Sequence, residues 1–380
     1  MDKSKSLPVV VIVCGDPGGA EAVAPVIQAL QNDRLVQVRA FACREACDVW
    51  TRHNIFFESL SENLTIAQAG EKMLTPPASL LLSGTSYNNS VDLEKRFIAA
   101  AHNFGIPSLA VLDFWSNYLV RFQDSDGRLT FIPDRIAVMD QLAYNELTIL
   151  GIDPNRLVIT GQPAFDVLIS WRLGFTLERR RENRIKLDIQ ETEILVLFAS
   201  QPLAAVFGRS ADNNPHYMGY DEFIVIKALL AGLEEIVSRH YKKITLLVRP
   251  HPRETTDWLT LLHSEHIRIL VSSDMDRRDQ AIAADIVTGM NSEMLVETCY
   301  IGCLTVSLQP GLRLPDALPT NRSGLSKAVY TFDEITPVIE QMLFDKTISE
   351  KMKIELKNHL LDDMAAQRVT NLVYKMMSIL

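Results

Sequence analysis

Short apolar runs alternate with longer segments of helical periodicity along most of the chain. The runs predict strands at 9–13, 36–42, 80–83, 108–112, 135–138, 157–160, 194–199, 244–249, 267–271, 281–287 and 303–308. The periodic segments predict helices at 20–31, 46–53, 91–104, 141–150, 221–240, 258–263, 279–283, 292–300, 334–344, 348–361 and 365–377. Such alternation is typical of parallel β-sheets with helices on both faces.

The alternation breaks at Gly161-Gln162-Pro163 and then resumes. Two α/β halves of similar size, joined near residue 165, predict two Rossmann-like domains that face each other across a cleft. Ligands of such sheets bind beyond the carboxyl ends of the strands. Candidate chemistry is therefore expected in the loops that follow the strands.

The composition narrows the class of protein. The chain has 380 residues, 47% of them hydrophobic, which suits a globular protein of two or three domains. Its net charge of −9 argues against a nucleic-acid partner. The absence of a signal peptide or a membrane-length apolar run predicts a cytoplasmic protein. Peripheral contact with the inner face of a membrane stays open.

The cysteines predict buried thiols. Their number is odd, five, which suits a reducing compartment. Cys43 and Cys47, like Cys299 and Cys303, have a spacing that zinc ligands can have, but both pairs lie in apolar stretches. We therefore expect no metal site.

The segment 288–297 is the most informative stretch of the sequence. Small and polar residues, among them Gly289, Asn291, Ser292 and Glu293, join a predicted strand to a predicted helix. A helix N-terminus attracts phosphate through its unpaired N–H groups and its dipole. Glu297, about one and a half turns into the helix, could accept both hydroxyls of a ribose. The alternative is a pair of ordinary helix caps and a solvated glutamate.

The first half offers two candidate catalytic carboxylates, Asp16 and Asp113. Asp16 lies in Gly15-Asp16-Pro17-Gly18-Gly19, which follows the first strand and is not a complete dinucleotide motif. Gly18 and Gly19 permit close approach, and we expect this loop to face a sugar. Asp113 ends a strand and could act as a base; capping of the next helix is the alternative.

Further candidates follow the strands of the second half. Arg249 and His251 lie in Arg-Pro-His-Pro and suit a diphosphate or nucleotide. Ser200 and Gln201 could bond the donor, and Gln309 could hold its sugar. No GxSxG, HExxH or Walker A motif occurs in the sequence.

These pieces, in this order, resemble the glycosyltransferase B (GT-B) superfamily, most closely the branch that shares its architecture with UDP-N-acetylglucosamine 2-epimerase. The matching stretches are 15–26, 133–138 through 160–166, 249–252 and 289–302. The resemblance implies an acceptor-side domain of residues 1–165, a nucleotide-sugar domain of residues 166–364, and a C-terminal helix, 365–380, that crosses back to the first domain.

The resemblance also implies roles for the candidate residues. Asn291, Ser292 and Glu293 would hold the diphosphate, and Glu297 matches the family's ribose-binding carboxylate. His251 falls in its His-Pro element, and Asp113 falls where related enzymes carry an acid or base. Transfer would proceed without a bound metal, and no tightly bound cofactor is expected.

Two departures separate this sequence from the epimerases. They carry an Arg in the first glycine loop, where this chain has Pro17, and a His-Arg-Arg type element where it has Ser200-Gln201-Pro202. Both losses remove groups that epimerase chemistry uses. We therefore expect a hexosyltransferase that moves glucose or N-acetylglucosamine from a UDP-sugar to a polysaccharide or lipid-linked acceptor, with inversion if Asp113 is the base.

Three alternatives stay open. The protein could be a nucleotide-sugar 2-epimerase or hydrolase, which needs no acceptor. It could be a phosphotransferase with a CDP-linked donor, in which His251 would be catalytic. It could also bind a sugar nucleotide without turning it over.

Overall fold

The computed structural model describes residues 7–87, 92–212, 214–358 and 362–379. The chain divides into two compact units, residues 1–167 with 361–380 and residues 168–360. Each unit contains one parallel sheet flanked by helices. The predicted α/β class with two Rossmann-like domains is confirmed.

The strands and helices of the described residues are as follows. The strands are β1 (Val9–Cys14), β2 (Gln37–Ala42), β3 (Glu58–Ser59), β4 (Leu80–Ser83), β5 (Ser108–Val111), β6 (Arg135–Val138), β7 (Leu157–Ile159), β8 (Ile194–Ala199), β9 (Ile244–Arg249), β10 (Ile267–Val271), β11 (Ile286–Gly289), β12 (Thr305–Leu308) and β13 (Lys327–Val329). The α-helices are α1 (Pro17–Asp33), α2 (Glu45–Arg52), α3 (Ile66–Leu74), α4 (Leu93–Phe104), α5 (Gln141–Ile149), α6 (Asp166–Leu173), α7 (Leu177–Lys186), α8 (Leu203–Phe207), α9 (Glu222–His240), α10 (Arg277–Ala283), α11 (Glu293–Ile301), α12 (Pro319–Arg322), α13 (Ile335–Phe344), α14 (Lys346–Asn358) and α15 (Ala365–Met376). Short 3₁₀ helices span Leu119–Arg121, Pro154–Arg156, Pro163–Phe165, Asp257–Leu261 and Phe332–Glu334.

Both sheets have the same topology. The first has the order β3-β2-β1-β4-β5-β6-β7 and the second the order β10-β9-β8-β11-β12-β13. In each sheet the chain starts in the middle, adds strands on one side, and then returns to add strands on the other. The order therefore reverses between β1 and β4 and between β8 and β11. Such a switch point leaves a crevice at the carboxyl ends of the two strands.

The central strand of the first unit is buried on both faces, as parallel sheets require. Val10 and Ile12 pack on one face with α1 and with Val369 of α15. Val9 and Val11 pack on the other face with residues of α3 and α4. Successive side chains of a strand point to opposite faces, so the apolar run of β1 contributes to two cores.

Several local predictions differ from the structure. The predicted strand 281–287 is wrong in its first part, because α10 extends to Ala283 and β11 begins at Ile286. Asp276 caps α10 by accepting the N–H of Arg278, and an apolar run alone does not separate helix from strand. The helix predicted at 258–263 is a 3₁₀ helix, Asp257–Leu261, and the short elements α3, α8, α12, β3 and β13 were not predicted. The helices predicted at 91–104 and 348–361 include residues outside the described ranges.

Trp50 offers a test of the first core. Its side chain is fully buried and its indole N–H donates to the Ala20 carbonyl at 3.1 Å. We expect Trp50→Ala to lower the free energy of unfolding by about 3–5 kcal/mol, because it leaves a cavity and removes a buried hydrogen bond. Phe56→Ala, at a side chain that is 91% exposed, should change it by less than about 0.5 kcal/mol. Chemical denaturation measures both, and equal stability of the two variants would contradict this packing.

Candidate functional site

In the first unit, two buried or nearly buried carboxylates connect the loops on either side of the switch point. Asp16, which follows β1, accepts the backbone N–H of Tyr87, which follows β4, at 3.1 Å. Glu94, in the first turn of α4, accepts the N–H of Gly15 at 2.8 Å and the hydroxyl of Ser86 at 2.7 Å. We call these five residues the switch-point bridge.

Glu94 is the charged residue of this bridge that sequence analysis missed. Its side chain is 3% exposed, and among the residues that the structure describes its Oε2 has no hydrogen-bond partner. Burial raises the pKa of Glu94 to about 7, because the bonds from Ser86 and Gly15 only partly offset the loss of water, and Asp16 adds repulsion. In the sequence, a glutamate near a helix start resembles an ordinary helix-dipole residue.

Asp113 lies beside the bridge at the end of β5. Its Oδ1 accepts the Thr85 hydroxyl at 3.1 Å and forms an ion pair with Arg121, whose side chain is 1% exposed. Arg121 also donates to the Thr85 carbonyl at 2.9 Å, and Gln162 donates to the backbone carbonyl of Asp113. The alternative role as a helix cap is wrong, since Tyr118 precedes the next helical turn. Asp113 is thus held by groups from three other segments of the first unit.

The two glycines of the first loop allow α1 to approach the neighbouring loops. A Cβ at Gly18 would lie 2.2 Å from Asp113 Oδ2, and one at Gly19 would lie 3.0 Å from the Thr85 nitrogen. The first turn of α1 therefore lies against the Asp113 carboxylate, where the helix dipole favours negative charge. In this structure the space beside both glycines is filled by protein atoms.

In the second unit, an amide pair joins the loops across the switch point. Gln201, after β8, accepts the N–H of Asn291 at 3.0 Å and donates to its side-chain oxygen at 3.2 Å. Gly289 makes this approach possible, because a Cβ there would lie 2.9 Å from the Ala199 carbonyl. The sequence-predicted residues Gln201, Gly289 and Asn291 are therefore brought together by direct contact.

Glu254, which the sequence analysis missed, connects the loop after β9 to the loop after β8. It accepts the Ser200 hydroxyl at 2.7 Å and the N–H of His251 at 3.0 Å. A turn from His251 to Glu254, with a bond of 2.9 Å between the Glu254 N–H and the His251 carbonyl, sets this spacing. In the sequence, the only local signal for this contact is a carboxylate three residues after the histidine.

His251 is a neutral hydrogen-bonding group. Its Nδ1 accepts the backbone N–H of Arg253 at 3.1 Å. Burial lowers the pKa of His251 below its ordinary value, and the charge of Arg253 lowers it further. The proton of the neutral ring is therefore on Nε2, which can donate to a ligand.

Helix α11 begins where the sequence analysis predicted. Ser292 is its N-cap and accepts the N–H of Met294 at 3.1 Å, and Glu293 lies in the first turn. Ser292 thus has the cap role that was the alternative from sequence, and the helix N-terminus lies at the carboxyl edge of the sheet. Such an end can bind an anion through its remaining N–H groups.

Glu297 is buried on α11 and held by two arginines. Arg277 binds both of its oxygens at 2.7 Å, and Arg278 binds Oε1 at 3.2 Å. Burial opposes ionisation, but these arginines hold the pKa of Glu297 below its ordinary value. A solvated glutamate, the alternative from sequence, is wrong. Since a carboxylate has about four acceptor positions and three are occupied, accepting two ribose hydroxyls requires Arg277 or Arg278 to release a bond.

Arg249 lies close to this ion pair. It donates to the Met275 carbonyl at 2.7 Å and to the Gln280 side chain at 2.8 Å. Burial lowers the pKa of Arg249, and the charge of Arg277 lowers it further. Two guanidinium groups near one helix N-terminus form a positively charged region that suits phosphate.

Gln309, the remaining predicted residue, is fully buried. It accepts the Tyr220 hydroxyl at 2.9 Å and donates to Ser307 and Asp316, each at 3.0 Å. Both ends of its amide are therefore used within the second unit.

Neither a cluster of metal ligands nor a membrane-spanning helix is found in the described part of the chain. It contains no group of three or more His, Cys, Asp or Glu side chains arranged to hold a metal ion. Its cysteines are free thiols, buried except for the half-buried Cys47. None of the helices described there is both long and apolar enough to span a bilayer.

No protein-family model and no curated protein matches the sequence. Solved structures do match the fold. The UDP-GlcNAc 2-epimerase of Neisseria meningitidis, bound to UDP-GlcNAc, has a TM-score of 0.65 at 15% identity, over 97% of this chain and 100% of that one. MnaA of S. aureus with UDP has a TM-score of 0.66 at 12% identity, over 98% of each chain. A glycosyltransferase of Rickettsia africae has a TM-score of 0.63 at 10% identity, over 98% of this chain and 99% of that one. The likeness confirms the predicted resemblance at the level of the fold: the chain is a two-domain α/β protein of the GT-B type.

Proposed function

We propose that this protein is a nucleotide-sugar enzyme, and specifically a hexosyltransferase. It would move glucose or N-acetylglucosamine from a UDP-sugar to a hydroxyl of a polysaccharide or lipid-linked acceptor. The observation that carries the proposal is the buried carboxylate Glu297 on a helix whose N-terminus lies at the switch point, with Arg249 and Arg277 nearby. The crystal structures of similar fold that contain UDP or UDP-GlcNAc support the choice of ligand.

The donor is assigned to the second unit. The N-terminus of α11, with Asn291, Ser292 and Glu293, receives the diphosphate, and Glu297 receives the ribose hydroxyls. Arg277, whose side chain is 47% exposed, moves from Glu297 towards the phosphates as the ribose takes its place. The Nε2 proton of His251 and the charge of Arg249 then stabilise the negative charge that develops on the leaving diphosphate. Because these groups supply the stabilisation, transfer of the sugar needs no metal ion.

The reacting hydroxyl is assigned to the first unit. Asp113 takes its proton as the oxygen attacks the anomeric carbon, the bond to the diphosphate breaks, and the configuration inverts. Arg121 and Thr85 hold Asp113 Oδ1, and Oδ2 is the oxygen assigned to receive the proton. A lipid-linked acceptor would bring the protein to the inner face of a membrane, where the cytoplasm supplies the donor.

A 2-epimerase is the second candidate, because epimerases of the same fold align over nearly the whole chain. Two observations favour transfer. Pro17 occupies the first position of α1 and provides no cation, and the side-chain amide of Gln201 is used by Asn291. Incubating the donor without an acceptor separates the two candidates, since an epimerase or hydrolase changes the sugar and a transferase leaves most of it intact.

Replacement of Asp113 tests the assignment of the base. We expect Asp113→Asn to lower turnover by about 10²–10⁴-fold while UDP affinity stays within about twofold, because the base is lost and the nucleotide site is untouched. The melting temperature should also fall, since Arg121 loses its ion-pair partner. Asp126→Asn, at an exposed ion pair of the same unit, is the matched control. Normal turnover of folded Asp113→Asn would show that another group is the base.

Replacement of Glu297 tests the donor site. We expect UDP to raise the melting temperature of the wild type, and Glu297→Gln to weaken UDP binding by about 10–100-fold through the lost ribose bonds. Glu191→Gln, at an exposed carboxylate paired with Arg181, should bind UDP as the wild type does. Thermal shift with UDP, CDP and GDP measures this. Equal stabilisation of all three proteins would place the nucleotide elsewhere, and stabilisation by CDP alone would change the donor class.

A further inference from the structure

Glu94 is a buried carboxyl group to which the proposed reaction gives no role. Its Oε1 receives hydrogen bonds from both loops of the switch-point bridge, while Oε2 has no partner within the described ranges and the residue is 3% exposed. The neighbouring Leu93 and Phe97 are fully buried, so α4 fixes the position of Glu94. Because the hydrogen bonds are all accepted by Oε1, the carboxyl group can gain or lose a proton on Oε2 without breaking them.

We propose that Glu94 is a positioning residue for Asp16: by gaining or losing one proton it changes how firmly the loops after β1 and β4 are held together. The inference rests on the proposed function only in taking Asp16, a candidate catalytic residue from the sequence, as part of the loop that faces the sugar. Two pairs of chain neighbours connect Glu94 with Asp16. Gly15, which donates to Glu94, is the neighbour of Asp16 in the chain, and Tyr87, which donates to Asp16, is the neighbour of Ser86.

The physical basis is the strength of charge-assisted hydrogen bonds. An ionised carboxylate accepts N–H and O–H bonds about twice as strongly as a neutral carboxyl group. Ionisation of Glu94 therefore tightens the bonds from Gly15 and Ser86, and its charge at the same time repels Asp16. With a pKa of about 7, both states are populated at neutral pH.

One carboxyl group and two thiols face Glu94. Asp16 faces it from the loop after β1, and the thiols of Cys14 and Cys43 face it from β1 and from the residue after β2. Burial raises the pKa of both thiols, that of Cys43 to about 12, so they stay neutral. A transition near pH 7 that disappears on replacement of Glu94 is therefore not assigned to either thiol.

The direct test is a pH titration of two backbone amides by ¹H–¹⁵N NMR, from about pH 6 to about pH 8.5, on the full chain. In the wild type we expect the Gly15 and Tyr87 amides to shift together with a midpoint near pH 7. Glu94→Gln, which keeps an acceptor oxygen but cannot ionise, should abolish both shifts. Ser86→Ala should move the midpoint to higher pH, because Ser86 stabilises the ionised form. A Gly15 shift without a Tyr87 shift, or no transition, would overturn the proposal.

A second measurement connects the titration with catalysis. Turnover of the wild type should rise several-fold through an inflection near pH 7, while Glu94→Gln should vary by less than about twofold there with an unchanged KM for the donor. If Glu94 had only a structural role, its replacement would leave the inflection in place. If no nucleotide sugar is turned over, the proposed function fails, yet the amide titration still decides whether Glu94 positions Asp16.

Unfolding provides a check that does not depend on activity. The pKa of Glu94 is about 7 in the folded chain against an ordinary 4.5, so between these values the folded state binds the proton and the unfolded state releases it. The stability of the wild type relative to Glu94→Gln is therefore greatest at low pH and is lost as the pH rises towards and through 7. If the variant does not fold, the higher midpoint expected for Ser86→Ala than for the wild type keeps the proposal testable.

Discussion

Burial of the central strands on both faces is the constraint on which the rest of this structure depends. All six residues of β1 are buried, and so are five of the six residues of β8. Polar side chains are therefore excluded from these strands and are found where the strands end. At the switch point, the loops of two adjacent strands emerge side by side, and their backbone N–H groups need partners. In both units the partners are polar side chains that reach from one loop to the other.

The two units satisfy this requirement with different chemistry. The first uses the carboxyl groups of Asp16 and Glu94, with the ion pair of Asp113 and Arg121 beside them. The second uses the neutral amides of Gln201 and Asn291 and the carboxylate of Glu254, with Arg249 and the ion pair of Arg277 and Glu297 nearby. A carboxylate suits the acceptance of a proton, and guanidinium groups suit a diphosphate. The division of roles proposed for the two units agrees with this distribution of groups.

Buried ion pairs hold both candidate sites in a defined state. Removing one partner of such a pair costs about 3–5 kcal/mol, because the other charge is left in a poorly solvated position. Arg121 fixes Asp113 in this way, whereas in the pair of Arg277 with Glu297 only the glutamate is buried, so loss of that pair costs less. The two pairs differ in exposure, since the Arg121 side chain is 1% exposed and the Arg277 side chain 47%. Exchange with a ligand is therefore far easier at Arg277 than at Arg121.

The sequence by itself determined the order of most strands and helices, because hydrophobic periodicity is a property of neighbouring residues. It also placed Asp16, Asp113, Arg249 and the turn before α11 at strand ends. It did not identify their partners: Glu94 bonds Gly15 from 79 residues away, and Arg277 reaches Glu297 from 20 residues away. Only the tertiary structure decided these contacts, since strand order and helix packing bring distant segments to the same edge of a sheet. Burial was decided there as well, which is why Gln309 belongs to an internal network and Glu94 has a pKa near 7.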